Sequence, residues 1–442
     1  MPVMTSLFAM TVSPAMKPLS AMISMTAMKP LSFMTSLSGI SLSKIMILSS
    51  IAFTSSVLAA ENISVGPRPL YMADQLPEGE LKEALLACDI SDMKPNNFSI
   101  GHRGAPLQFP EHTLESYIAA ARMGAGIVEC DVTFTKDREL VCRHSQCDLH
   151  TTTNILATPL AEKCSVSPDY NTKRPFEDVQ CCTSDITLEE FKSLKGKMDA
   201  GNRDAETLDE YMNSTANWRT DLYAHEGTLL SHAESIQLFD KLGVGMTPEL
   251  KEALVPLPFD GDYTRHQQAT QMLQEYRDAN IDPSRVWPQS FEAEDIAHWI
   301  RTAPEFAGQV VYLDGRYRQP GFNHLNPDTW EPTMAELKED GVQYLAPPLW
   351  MLVTLDENQR MIPSPYAAAA NEAELNLIAW SLERSGPIHL EDGGWYHQSV
   401  RESMENEGSV LTLLDVLAKE VGVVGVFSDW PATTSYYAHC RL

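Results

Sequence analysis

Glu129 and Asp131 stand two apart in the apolar run Ile127-Val128-Glu129-Cys130-Asp131-Val132. Read as a strand, the run turns both carboxylates to one face and Val128, Cys130 and Val132 to the other. Two like charges this close are costly unless a cation neutralises them. The pair therefore predicts a hard divalent metal with oxygen ligands, although salt bridges to neighbouring Arg or Lys would also account for it. A third carboxylate, Glu249, ends Met246-Thr247-Pro248-Glu249, with Lys251 on the same face. Glu249 can complete a metal site, and Lys251 can neutralise a phosphate. His102-Arg103-Gly104 closes the short apolar stretch Phe98-Ser99-Ile100. An Arg there is poorly placed for core packing and well placed to fork onto a phosphate. A second histidine, His144, ends Leu140-Val141-Cys142-Arg143-His144. Taken singly, each histidine is more simply structural and Arg103 more simply a surface residue. Two histidines, three carboxylates, an Arg and a Lys at strand ends form a constellation typical of a catalytic site.

The elements that must position these residues alternate in type. Strand-like segments occur at 98–102, 126–134, 244–250, 285–290, 309–313, 342–345, 387–390 and 423–428. Helical patterns at 269–277, 293–301 and 371–384 fall between them. Thr113 can cap a helix that carries Glu115 in its first turn and ends at Gly124. Thr135-Lys136-Asp137-Arg138 turns the second strand back into a hairpin whose return arm spans 139–144. Eight β/α units predict an α/β fold, a (β/α)8 TIM barrel, with a doubly wound open sheet as the alternative. In such a barrel the C-terminal strand ends form the catalytic face, where the residues above fall.

Residues 146–242 interrupt the alternation. They are rich in Thr, Asn and Asp and hold Cys147, Cys164, Cys181 and Cys182. The reading is an inserted subdomain with little core of its own, held by disulfides; leaving the barrel just after His144, it should sit over the catalytic mouth. The remaining cysteines are Cys88, Cys130, Cys142 and Cys440. The expected pairings are Cys142–Cys147, Cys164 with Cys181 or Cys182, and Cys88–Cys440, with Cys130 free. No pair has zinc-finger spacing.

At the N-terminus, Lys44 precedes an apolar run over 45–58 that ends in small residues, the pattern of an export signal. The run is too short for a stable membrane span. Upstream, Ala15-Met16-Lys17-Pro18-Leu19-Ser20 recurs at 27–32, a repeat without packing logic. Residues 1–60 are thus read as leader and signal, 61–96 as a polar lead-in, and 97–442 as the barrel. An even cysteine count behind an export signal fits a periplasmic or secreted protein. Asn62, Asn97 and Asn213 begin possible glycosylation sequons. The net charge of −27 disfavours nucleic acid and anionic membranes as partners. It also requires any phosphate site to be made locally positive.

His102-Arg103-Gly104, Pro110-Glu111-His112-Thr113-Leu114, Glu129-x-Asp131, Thr135-Lys136-Asp137 and Leu140-Val141-x-x-His144 together resemble the signature of glycerophosphodiester phosphodiesterases. The Pro-Glu-His-Thr form is similar to the exported bacterial branch. Pro248-Glu249-Leu250-Lys251, Gln289-Ser290-Phe291 and Gly425-Val426-Phe427-Ser428-Asp429-Trp430-Pro431 match later family strands in the right order. The sequence departs from the family at Glu292, which replaces an Asp, and at Ser145, where the family usually carries Asp. The resemblance implies one Ca²⁺ or Mg²⁺ on Glu129, Asp131 and Glu249. It makes His102 and His144 the acid–base pair, gives Arg103 and Lys251 the phosphate, and puts Gln289 and Trp430 in the substrate pocket. The implied reaction converts a small glycerophosphodiester to glycerol 3-phosphate and an alcohol. A sphingomyelinase-type phospholipase D is the competing enzyme; it would need an exposed apolar rim, for which Trp350, Met351 and Leu352 are candidates. A catalytically inactive binding relative is the competing non-enzyme.

Overall fold

The computed structural model describes residues 63–442 apart from 221, 392 and 393. The signal-like segment and its upstream repeat lie outside the described residues. Nine strands form the main sheet: β1 (Asn96–Gly101), β2 (Ala125–Phe134), β3 (Leu140–Cys142), β4 (Gly245–Leu250), β5 (Gln289–Ser290), β6 (Val311–Leu313), β7 (Tyr344–Ala346), β8 (Asn376–Leu382) and β9 (Gly425–Ser428). All but β3 are parallel to their neighbours, and β1 pairs with both β2 and β9, so eight strands close into a barrel. β3 lies antiparallel against β2 as the return arm of the expected hairpin.

Strand parity follows the sequence. Val128, Cys130 and Val132 pack in the main hydrophobic cluster with residues of the surrounding helices, such as Tyr117, Phe239 and Met272. Ile127 packs inside with Ile100, Val311, Leu313, Ala346, Ile378 and Phe427. Glu129 and Asp131 share the parity of Ile127 and point inward. Thr113 caps the helix Leu114–Arg122 by accepting from the Ser116 N–H. Thr264 and Gln267 form a capping box on Arg265–Asp278.

One strand differs from the sequence reading. Residues 371–384 were expected to be helical and 387–390 a strand. Instead Asn376–Leu382 is β8, and Ile388–Glu391 is a short helix. The run Leu375-Asn376-Leu377-Ile378-Ala379-Trp380 lacks the alternation of a half-exposed strand, because β8 is covered on both faces as barrel strands are. The polar lead-in contains the helices Arg68–Asp74 and Glu80–Leu86.

The insertion is present between β3 and β4, but it has its own core. Leu149, Ile155, Phe176, Phe191, Leu194 and Tyr211 pack together with Leu229 and Val141. The apolar residues are spread over many short elements, so no long run announces them. All eight cysteines are paired: Cys88–Cys440, Cys130–Cys142, Cys147–Cys182 and Cys164–Cys181. Cys130 is therefore not free, and Cys142 does not join Cys147. The hairpin explains this: with Val132 opposite Cys142, the helix-facing Cys130 lies next to Cys142 on β3, their Cα atoms 5.3 Å apart. Among the described residues no helix is long and apolar enough to cross a membrane.

Candidate active site

Register brings the carboxylates together. Asp131 on β2 is opposite Glu249 on β4, and Glu249 is opposite Gln289 on β5. Oxygens of Glu129, Asp131 and Glu249 lie within 4.8 Å of one another, and all three residues are buried. Their remaining oxygens are mostly held: Glu129 accepts from the Arg103 N–H at 2.9 Å and from Gln289 Nε2 at 2.8 Å. Asp131 Oδ2 meets His112 Nε2 at 2.9 Å, and Glu249 Oε1 accepts from Lys251 Nζ at 2.5 Å. Asp131 Oδ1 and Gln289 Oε1 are buried with no hydrogen-bond partner among the described residues. An orphaned carboxylate oxygen within an all-oxygen donor set is what a hard divalent cation would complete.

The charges are far from their ordinary balance. Burial raises the Glu129 carboxyl well above its usual range, and Asp131 and Glu249 raise it further. Burial, with Asp131 adding and Lys251 opposing, pushes Glu249 up to about 7. Burial works to raise the Asp131 carboxyl, but Lys251 and His112 hold it below its usual value. In the bare site three carboxylates compete to stay ionised, which is the condition a cation relieves.

Arg103 follows the end of β1 at φ 55°, a left-handed conformation costly for a residue with a Cβ. Gly104 makes the turn possible: a Cβ there would lie 2.3 Å from Ser116 Oγ. The Arg103 carbonyl accepts from the His112 N–H and from Ser116 Oγ, which ties the turn to the Pro-Glu-His-Thr segment. Arg103 Nη1 donates to Glu111 at 2.9 Å, and its Nε lies 3.7 Å from Asp131 without a hydrogen bond. Burial works against the charge on Arg103, but Glu111, Asp131 and Glu129 keep it firmly protonated.

His102 presents Nδ1 to Asp429 Oδ1 at 2.5 Å and Nε2 to Ser381 Oγ at 3.4 Å, with Glu129 3.9 Å away. Asp429 stays ionised, held at about 2 against burial by Arg384 and His102. An ionised carboxylate can only accept, so Nδ1 carries the proton and Nε2 keeps its lone pair. His144 lies beside a second group, Glu111 and Asp148, with ligand atoms within 4.8 Å of one another. Burial and the cations Arg103 and Lys251 hold it neutral.

His102, Arg103, Glu129, His144, Glu249 and Lys251 line one cavity of about 490 Å³, together with the aromatic residues Phe291, Tyr317, Trp380, Trp395 and Tyr396. Asp131 lies buried beneath it. Two expected pocket residues are not in its wall. Gln289 is buried behind the carboxylates and orients Glu129. Trp430 follows β9 but turns into a separate cleft with Leu107 and Phe109. No described residue from 146–242 lines the catalytic cavity, so the insertion does not wall it as expected. Trp350, Met351 and Leu352 are buried and supply no lipid-reaching rim.

The sequence model of the glycerophosphoryl diester phosphodiesterase family matches residues 102–433. The chain belongs to that family. Membership makes it an enzyme, a phosphoric diester hydrolase built on the closed barrel described above. An "Extracellular protein" of Arthroderma benhamiae is 44% identical over 252 residues, covering 55% of this chain and 99% of the relative. A glycerophosphodiester phosphodiesterase of Haemophilus influenzae is 25% identical, covering 78% of this chain and 90% of its own. Among solved structures, a glycerophosphodiester phosphodiesterase of Parabacteroides distasonis is 17% identical with a TM-score of 0.44, covering 79% of this chain and 99% of that one.

Sequence reasoning passed over four polar residues of this phosphodiesterase's site. Asp429, Glu111 and His112 stood inside quoted motifs without roles, and the signal for them was present. Arg384 bonds Asp429 at 3.1 Å and Asp199 at 3.3 Å; it was hidden in the stretch misread as helix.

Proposed function

We propose that the enzyme hydrolyses glycerophosphodiesters to glycerol 3-phosphate and an alcohol, using one Ca²⁺ or Mg²⁺ held by Glu129, Asp131 and Glu249. The observation that carries this reading is the trio of buried carboxylates, one oxygen unpartnered among the described residues, two of which line the same cavity as His102 and His144. A bound cation would draw off charge that builds on the phosphoryl oxygens. Arg103 and Lys251 bind and orient the phosphate, and their charge makes this part of an acidic protein receptive to an anion. His102 Nε2 takes the proton of the nucleophile, which is either water or the substrate's own glycerol hydroxyl, the latter giving a cyclic phosphate that water then opens to glycerol 3-phosphate. Asp429 then stabilises the imidazolium through Nδ1, as the third member of a triad does. His144 returns a proton to the leaving alkoxide. An anionic phosphate beside it, with Glu111 and Asp148 close by, favours the protonated ring that this step needs.

Four disulfides and an extracellular relative support export. The test is phosphorus NMR of glycerophosphocholine turnover before and after rigorous chelation. Release of glycerol 3-phosphate that stops with chelation and resumes with Ca²⁺ or Mg²⁺ is expected. Choline phosphate as the product, or full turnover after chelation, would overturn the reading.

A further inference from the structure

We propose that the aromatic wall of the catalytic cavity is a subsite for a quaternary ammonium group on the leaving alcohol, so that choline-type glycerophosphodiesters are the preferred substrates. This rests on the hydrolase reading above and adds the head group to it.

Phe291, Tyr317, Trp380, Trp395 and Tyr396 line the same cavity as His102 and Glu249. Their arrangement is one stacked pair with other rings set across it. The Trp380 and Trp395 rings lie 6.0 Å apart and inclined by 26°. Tyr396 stands at 87° to Trp395 with centroids 4.9 Å apart, and Tyr317 is 5.4 Å from Trp395 at 57°. Rings set at steep angles around one space can present several electron-rich faces to one cation. Packing alone does not account for Trp395, which remains 41% exposed.

Some of these faces already hold cations. The Arg318 guanidinium sits 4.7 Å from the Phe291 centroid and 5.3 Å from that of Tyr317, and Lys251 Nζ is 6.0 Å from Phe291. No cation sits over the two tryptophans or Tyr396 among the described residues, and their faces not taken by the Trp380–Trp395 stack are the ones left for a ligand. Glu252 and Glu292 stand exposed on the rim, and the net charge of −27 favours the approach of a cation. A quaternary ammonium has no N–H to satisfy, so aromatic faces can replace its water. A primary ammonium loses hydrogen bonds there, and a neutral alcohol gains no charge attraction.

The test compares choline with its uncharged carbon analogue, 3,3-dimethylbutan-1-ol, by saturation-transfer NMR on the methyl singlet with the full chain. In parallel, kcat/KM is measured for glycerophosphocholine and glycerophosphoglycerol. Choline should bind about tenfold tighter than the analogue, and Trp395→Leu should collapse both that ratio and the preference for glycerophosphocholine. Trp395→Phe, which keeps a smaller π face, should restore part of each. If Trp395→Leu does not fold by far-UV circular dichroism, the wild-type comparison decides alone. Equal binding of choline and its analogue, binding of neither, or equal kcat/KM for the two diesters overturns the subsite. Choline binding without turnover of any glycerophosphodiester keeps the subsite and removes the hydrolase reading.

Discussion

The barrel mouth and the insertion handle polar groups in opposite ways. At the mouth, Glu129, Asp131, Glu249 and Arg103 are buried, Arg103 and His112 sit at positive φ, and Asp131 Oδ1, Arg103 Nε and Gln289 Oε1 have no hydrogen-bond partner among the described residues. In the insertion, Thr187 with Glu190 and Thr207 with Glu210 form complete capping boxes. Charged pairs there, such as Arg174–Glu177, stay near the surface, and two disulfides close the chain on itself. The insertion breaks local rules at few places, Ser184 Oγ buried without a partner among the described residues and Tyr223 and His225 at positive φ, and it gains stability from its caps. The mouth breaks those rules, and such violations concentrate where a site must be ready for a ligand the chain alone does not supply.

If that contrast is right, conservative changes at the mouth should cost far more activity than stability. Asp131→Asn and Glu249→Gln should lower kcat the most, by about 10³-fold, as the several kcal/mol supplied by a metal is lost. The melting temperature of Glu249→Gln should hold or rise, because burial and Asp131 already oppose its charge. That of Asp131→Asn should fall modestly, because Lys251 and His112 favour the ionised form that is lost. A fall for Glu249→Gln that accompanies the loss of kcat would make the trio structural. Next come the histidines: His102→Ala or His144→Ala should lower kcat by ~10²–10⁴-fold while calorimetric Ca²⁺ or Mg²⁺ binding persists. Near wild-type kcat on a diester with a poor leaving group would remove that histidine from the acid–base pair. Asp429→Asn should be milder, about 10–10²-fold, since Nε2 still faces the cavity but loses the carboxylate that fixes its tautomer. An effect as large as that of His102→Ala would mean that Asp429 does more than orient the ring.

The same contrast explains what could be read in the sequence. The mouth was readable because its residues are badly placed for anything else: carboxylates at Glu129 and Asp131 within an apolar strand, and an Arg after Ile100-Gly101-His102, have few structural uses. Strand parity then fixed which way they point. Gln289 and Trp430 were misjudged because proximity in a motif does not say which face a side chain takes; Gln289 bonds Glu129 from outside the cavity wall and Trp430 is buried against a different cleft. β8 was missed because a strand buried on both sides has no period to read. In the insertion, Phe176, Phe191 and Tyr211 are separated by polar residues, so their shared core exists only in three dimensions. The pairing of Cys130 with Cys142 needed the hairpin register, which was available in the sequence but was not applied to the cysteines.

The smallest effect on catalysis should come from opening the insertion. Cys164–Cys181 spans 17 residues and Cys147–Cys182 spans 35, and loops of this size are typically worth ~2–4 kcal/mol when closed. Replacing Cys164 and Cys181 together by Ser should lower the unfolding free energy read from urea denaturation by an amount in that range. It should leave kcat/KM for glycerophosphodiesters within about twofold, because no described residue of 146–242 lines the cavity. The route by which the insertion could still matter is narrow: Asp199 binds both Arg219 and Arg384, and Arg384 reaches Asp429 behind His102. A loosened insertion would act through that chain on proton transfer, lowering kcat, rather than on recognition through KM. Measuring both constants for two diesters of unequal head-group size separates these routes. A change in the KM ratio before any loss of stability would place the insertion in the substrate wall after all and dissolve the contrast between the two regions.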